Sequence, residues 1–222
     1  MSIGCRIAQD IKEGNRKLAE LFRNISVASI DDCMNRLAAF DADIRPINNT
    51  PMLGCAFTVK VAEGDNLMMH KALDMARPGD VLVVASGKTG NRAIFGELMS
   101  EYCRVRGLAG IVTDGLVRDS DTLEQYTDFA VYAAGTTPNG PYKNGPGEIG
   151  YPVVIGGQLV NPGDIIVGDR DGILAIPPEN AQEIYEAVMK VLEKEKQITA
   201  NIKKGSYVRP WVDAKLHELG VE

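Results

Sequence analysis

The sequence predicts an α/β fold, a single layered α/β/β-type domain with a helical N-terminus and a C-terminal helix. Three observations carry that prediction. Strand-like and helix-like runs alternate through the centre of the chain, residues 129–176 break into short apolar runs between Pro, Gly and Asp turns, and residues 178–200 return to helical spacing.

Residues 4–23 place apolar side chains at roughly helical intervals, and Ser29 with Asp31 and Asp32 predicts a second helix start before residues 33–40. From Cys55 the pattern becomes a short β-rich run. Asp65 then offers a cap to a helix over residues 65–76. Pro78-Gly79-Asp80 is a turn that launches the strand 81–85, followed by a glycine-containing loop, a helix over 97–106 and a strand over 110–114. Strand, helix, strand in that order is a βαβ unit with a right-handed crossover. Pro177 and Pro178 open the last amphipathic helix, and a polar tail follows it. Nothing of linker composition interrupts the chain, so residues 1–222 are expected to form one domain, with N-terminal helices over 1–40 and the C-terminal helix and tail over 178–222.

The formal charge of -6 and the absence of a basic run interleaved with aromatics argue against nucleic acid as a ligand. No apolar run approaches the length that spans a bilayer, and the first twenty residues lack the layout of a signal peptide, which predicts a cytoplasmic protein. Cys5, Cys33, Cys55 and Cys103 are scattered without zinc-ligand spacing, and neither His70 nor His217 carries a local nucleophile signature.

Two segments carry chemistry. The loop over 86–96 contains Gly-Lys-Thr, but Leu82 stands where a P-loop needs its first glycine, so no nucleotide site is read there. The segment connects strand to helix, and the free N–H groups of that helix attract an anion such as a substrate carboxylate. The second segment, DGLVRDS over 114–120, would ordinarily be a surface turn with a weak ion pair. It lies at the carboxyl end of a βαβ unit, however, where open α/β sheets bind ligands. Arg118 offers a forked cation for a carboxylate or enolate oxygen, and Asp119 offers a hard oxygen suited to magnesium or manganese.

Gly96-Glu97-Leu98-Met99, the twenty residues between Glu97 and Arg118, and Arg118-Asp119 form an acidic-x20-Arg-Asp pattern. With the stretches 65–73, 77–87, 106–119 and 160–177, it resembles the RraA-like family, which includes 4-hydroxy-4-methyl-2-oxoglutarate aldolases and oxaloacetate decarboxylases. The resemblance runs from about residue 26 to the end of the last helix.

It implies a divalent-metal-dependent carbon–carbon lyase that releases pyruvate as a metal-stabilised enolate. Asp119 would bind Mg2+ or Mn2+, Arg118 would contact the pyruvyl group, the Leu98 and Met99 amides beside Gly96 would hold its carboxylate, and Glu97 would steady metal-bound water. An adjacent subunit of a homotrimer or homohexamer would add Asp32 and Glu195 or Glu193. A solvated helix face also accounts for those glutamates. Ser86 departs from the family pattern, where an acid often stands.

Two rivals remain. Lys60 in a strand-like run could form a Schiff base if buried, and faces outward otherwise. The family also contains a non-catalytic regulator of ribonuclease activity that binds a protein partner.

Overall fold

Apolar residues change period along the chain, and the elements follow. The computed structural model, which describes residues 2–87 and 90–221, runs β1 (Cys5–Ile7), α1 (Arg16–Ala19), α2 (Val27–Cys33), β2 (Arg45–Pro46), β3 (Met52–Val61), α3 (Leu67–Met75) and β4 (Asp80–Ala85). Then come β5 (Ala93–Phe95), α4 (Glu97–Val105), β6 (Gly110–Thr113), β7 (Leu116–Val117), α5 (Ser120–Glu124), β8 (Ala130–Ala133) and β9 (Gly135–Thr136). The chain closes with β10 (Gly147–Ile149), the hairpins β11 (Val153–Ile155) to β12 (Gln158–Val160) and β13 (Ile165–Gly168) to β14 (Ile173–Ile176), α6 (Ala181–Lys203) and α7 (Pro210–Glu218).

Among the described residues one mixed sheet has the order β1-β10-β3-β4-β6-β8-β2, with β13 paired to the first half of β3 and β14 beside it. Strands β3, β4, β6 and β8 are parallel. Parallel neighbours need crossovers, and α3, α4 and α5 supply them.

Side chains alternate across a strand, and this alternation builds two of the layers. Leu82 and Val84 of β4 share a core with Met69 and Leu73 of α3 and Cys103 of α4. Val81 and Val83, one residue out of phase, share a second core with Val153, Ile155 and Val160 of the β11–β12 hairpin. A third core lies between β13–β14 and helices α2 and α6, where Ile165, Val167, Leu174 and Ile176 meet Ile30 and Val188. Burial on both faces explains why the central strands read as continuous apolar runs.

The βαβ unit, the β-rich third quarter and the C-terminal helix fall where the sequence placed them. The N-terminal region differs in detail. Residues 4–23 do not form one helix, because Cys5–Ile7 pairs in parallel with β10 and Arg6 donates to Glu148 Oε1 at 2.6 Å. At Gly14 the chain lies so close to Cys55 that a Cβ would stand 2.1 Å from the cysteine Cβ, and the Asn15 side chain then accepts from the Lys17 and Leu18 amides to start α1. The helix expected to begin near Ser29 instead runs from Val27 to Cys33. Asn35 and Arg36 end it in the left-handed region, at φ 61 and 60, and Asp31 Oδ1 takes the Ala38 and Ala39 amides that follow.

Among the described residues no helix is long and apolar enough to cross a membrane. Leu82, 1% exposed at the centre of the first core, should lose about 2–5 kcal/mol on replacement by alanine. Leu159→Ala, on the solvent-facing side of the β11–β12 hairpin, should change stability by less than about 0.5 kcal/mol. Urea unfolding of the two variants checks both values.

Candidate active site

The carboxyl ends of β4, β6 and β8 extend beyond the large sheet. Each leads, after a break, into β5, β7 or β9, and these three pair in parallel as a small sheet in the matching order β5-β7-β9. Three chain segments therefore emerge side by side: Gly96-Glu97 after β5, Arg118-Asp119 after β7, and Thr137-Pro138 after β9.

The turn at Arg118-Asp119 is fixed by its backbone. The Arg118 N–H donates to Phe95 O at 3.0 Å, and Asp119 takes the left-handed conformation, φ 60 and ψ 37, that begins α5. Its carbonyl then accepts from the Thr122 and Leu123 amides. A non-glycine residue held in that region is strained, and such strain gathers at functional sites.

The strained turn aims the Asp119 carboxylate at the start of α4. Asp119 Oδ2 accepts from the Glu97 N–H at 3.0 Å and lies 3.6 Å from Arg118 Nε. A carboxylate at a helix N-terminus is stabilised by the unpaired amides there. The amides of Leu98 and Met99 precede the first intrahelical bond, from Ser100 N to Gly96 O, and complete the donor set. Gly96 makes the approach possible, since a Cβ there would meet Asp119 Oδ2 at 2.5 Å and Arg118 Cγ at 2.9 Å.

Arg118 and Asp119 form a ridge, each with about two-fifths of its side chain exposed, between two cavities. The outer cavity, about 530 Å³, is lined by Glu97, Asp121, Thr136 and Thr137. The inner one, about 180 Å³, is lined by Asn66, His70, Leu98, Met99 and Lys143. Burial, and then the charge of Lys143, hold the His70 imidazole below its usual range.

Glu97, Leu98, Met99, Arg118 and Asp119 are thus together. Asp32 and Glu195 are not with them in one chain: both act electrostatically on Cys33, on the face between α2 and α6, and neither lines either cavity. Asp32 is paired with Arg36 at 2.6 Å. Lys60 is exposed on β3 and faces outward. Ser86 is buried, and its N–H donates to Asp114 Oδ1 at 2.7 Å, so it fastens the β4 and β6 ends to each other. The loop after it includes Lys88 and Thr89 of the Gly-Lys-Thr segment, which lie outside the described residues.

Sequence reasoning missed Asn66, His70 and Lys143 as lining residues. The one local signal was Asp65, whose carboxylate accepts from Leu67 N at 2.9 Å and from Asn144 N at 2.5 Å and so ties α3 to the 141–144 loop.

Among the described residues no three His, Cys, Asp or Glu side chains come close enough to cage a metal. The donors present suit another kind of site. One hard carboxylate cradled over Gly96, with Glu97 beside it, fits a magnesium-like ion that keeps most of its waters. Cysteine lines neither cavity, and burial pushes the Cys55 thiol up to about 11 and the Cys103 thiol up to about 12.

A family model described as "RraA-like: Aldolase/RraA" matches residues 27–175. A Halalkalibacterium halodurans protein named "Putative 4-hydroxy-4-methyl-2-oxoglutarate aldolase" is 34% identical over 88% of this chain and 94% of its own. The solved structure of Streptomyces coelicolor RraAS2, titled an unusual member of the RNase ES inhibitor RraA protein family, superposes with a TM-score of 0.76 at 25% identity. It covers 84% of this chain and 98% of its own. That of the RNA-processing inhibitor RraA from Thermus thermophilis has a TM-score of 0.63 at 26% identity, covering 69% and 93%.

Gly96 has an extended φ of -168, so Gly96→Ala acts through its Cβ alone. It should expel the Asp119 carboxylate from the Glu97 amide, cost about 1 kcal/mol of stability, and speed hydrogen exchange at that amide. Unchanged exchange at Glu97 would show that the carboxylate is not held there.

Proposed function

Since this chain belongs to the RraA-like family, we propose that it is a divalent-metal-dependent pyruvate aldolase acting on 4-hydroxy-4-methyl-2-oxoglutarate or a similar 4-hydroxy-2-oxo acid, with oxaloacetate decarboxylase activity. The observation that carries the reading is the Asp119 carboxylate seated on the N-terminus of α4 beside the half-exposed Arg118 guanidinium.

Arg118 faces the C2 oxygen of the substrate, while the amides of Leu98 and Met99 hold its C1 carboxylate at the helix terminus. Asp119 would hold the ion, Mg2+ or Mn2+, which when bound supplies a Lewis acid to the 2-oxo acid. As the C3–C4 bond breaks, its electron pair moves onto the C2 oxygen, and the Arg118 donors, fixed before reaction, stabilise that charge. In aldol cleavage a water oriented by Glu97 takes the C4 hydroxyl proton and the carbonyl product leaves. In oxaloacetate the leaving group is carbon dioxide and no proton need be removed there. Protonation of the enolate at C3 gives pyruvate in both cases.

Within the same reading the whole chain is one RraA-like domain in a homo-oligomer, a trimer or hexamer. Two observations support an assembly. Leu98, Tyr102 and Val105 form an exposed apolar stripe at i, i+4, i+7 along α4, and Asp32 and Glu195 share one surface patch, from which both could reach a neighbour's site. The free cysteines suit a reducing cytoplasm. The likeness to RraAS2 and to the RNA-processing inhibitor RraA raises the alternative of a regulator that binds a protein partner. The enzyme reading is preferred because such a regulator has no need of a strained carboxylate and an arginine on a ridge between two cavities.

Asp119→Ala should abolish metal-dependent pyruvate release while the protein stays folded, because the side chain is partly exposed and outside the core. Near-native turnover of that variant with magnesium would remove the metal role. Arg118→Lys keeps the charge but loses the fork, and should cost about a hundredfold in kcat. A rise in KM with unchanged kcat would make Arg118 a ground-state binding group instead.

A further inference from the structure

Arg118 lies between two glycines. A Cβ on Gly96 would stand 2.9 Å from its Cγ, and a Cβ on Gly140 would stand 3.1 Å from its Nη1, so the stem passes one backbone and the guanidinium tip rests against the other. Gly140 belongs to the loop that carries Pro138 to the outer cavity and Pro141 and Lys143 to the inner one. Its carbonyl is held by a second arginine, since Arg92 Nη1 donates to Gly140 O at 2.8 Å. Arg92 Nη2 also donates to the Tyr142 hydroxyl at 2.8 Å, and its Cζ stands 4.0 Å from the centroid of that ring. Gly64 gives Arg92 its room, because a Cβ there would meet Arg92 Cδ at 2.9 Å.

A carbonyl beside a guanidinium is a natural acceptor for it, and hydrogen bonds to charged donors are roughly twice as strong as neutral ones. An unclaimed Gly140 carbonyl would therefore compete with a substrate oxygen for Arg118. Among the described residues no hydrogen bond joins Gly140 to Arg118, and Arg92 holds that carbonyl instead. The rest of the loop has its own ties. Ala93 N donates to Asn139 O at 2.8 Å, Asn139 Nδ2 to Asn91 O at 2.9 Å, and Tyr142 N to Gly64 O at 2.8 Å. Removal of Arg92 should thus free one carbonyl beside Arg118 and leave the loop in place.

We propose, resting on the pyruvate-lyase reading above, that Arg92 is a positioning residue for that reaction: by holding the Gly140 carbonyl it keeps the Gly140 backbone as a wall for Arg118 and leaves the Arg118 donors to the C2 oxygen of the substrate. Arg92 itself touches no substrate. Because Arg118 acts on the charge that develops as the bond breaks, a displaced guanidinium lowers kcat more than it raises KM.

The test is a double-mutant cycle on pyruvate release from oxaloacetate with magnesium, each rate taken above a protein-free blank. Arg92→Ala is expected to lower kcat about tenfold and to change KM by less than about twofold. In an Arg118→Lys background the same substitution should change kcat by less than about twofold, since a residue that acts through Arg118 has nothing left to position. Equal fold-losses in the two backgrounds would make Arg92 a support of the loop alone and overturn the proposal. So would a native kcat in Arg92→Ala, or a rise in KM at unchanged kcat. If Arg92→Ala does not fold, Gly140→Ala decides. Gly140 lies outside the left-handed region, so its new methyl acts by pressing on Arg118 Nη1. A fall in kcat that disappears in the Arg118→Lys background supports the proposal, and a native kcat overturns it. No release by the unmodified protein would sink the lyase reading itself.

Discussion

The hydrogen bond from the Glu97 amide to the Asp119 carboxylate is the joint on which the site depends. It links two segments twenty-two positions apart in sequence, and it exists because three local conditions coincide. Gly96 has no Cβ to fill the space, the first turn of α4 has amides without intrahelical acceptors, and Asp119 is held in a left-handed turn that points its carboxylate there. Lose any one of these and the acidic and basic groups would be ordinary surface residues.

The small parallel sheet explains how such a joint is kept in register. Strands β5, β7 and β9 prolong the order of β4, β6 and β8, so the three segments that carry the site inherit their spacing from the buried sheet below. The strands in that sheet are buried on both faces, which makes it a rigid platform. Arg118 gains from this arrangement in a particular way. Its backbone is pinned to Phe95, but its guanidinium stands 3.6 Å from Asp119, beyond hydrogen-bonding distance, and keeps donors available to a ligand.

Much of this was legible in the residues. The βαβ unit and the α6 helix could be read because period-two and helical spacing persist over long enough runs, and the pairing of Glu97 with Arg118-Asp119 could be read because it is a fixed spacing between elements whose types were clear. The N-terminal strand was not legible. Residues 5–7 are three positions long and take their conformation from pairing with β10, more than 140 residues away, while their local spacing resembles a helix. The inner cavity was hidden for a similar reason: Asn66 and Lys143 are brought to it by the contacts of Asp65 with the 141–144 loop, a tertiary bond that no periodicity records. Asp32 and Glu195 are the remaining case: in this chain both lie beside Cys33, and neither lines the cavities flanking Arg118 and Asp119.

The proposed metal-assisted site for breaking a bond beside a 2-oxo acid rests on a carboxylate, an arginine and a helix terminus. The most direct test is the rate of pyruvate release from oxaloacetate by the unmodified protein, with magnesium and after removal of divalent ions by EDTA, each against a protein-free blank of the same composition. Release well above the blank is expected with magnesium, with loss of that excess in EDTA and recovery on adding magnesium or manganese. A rate equal to the blank under all conditions, or an excess that EDTA leaves untouched, would contradict it.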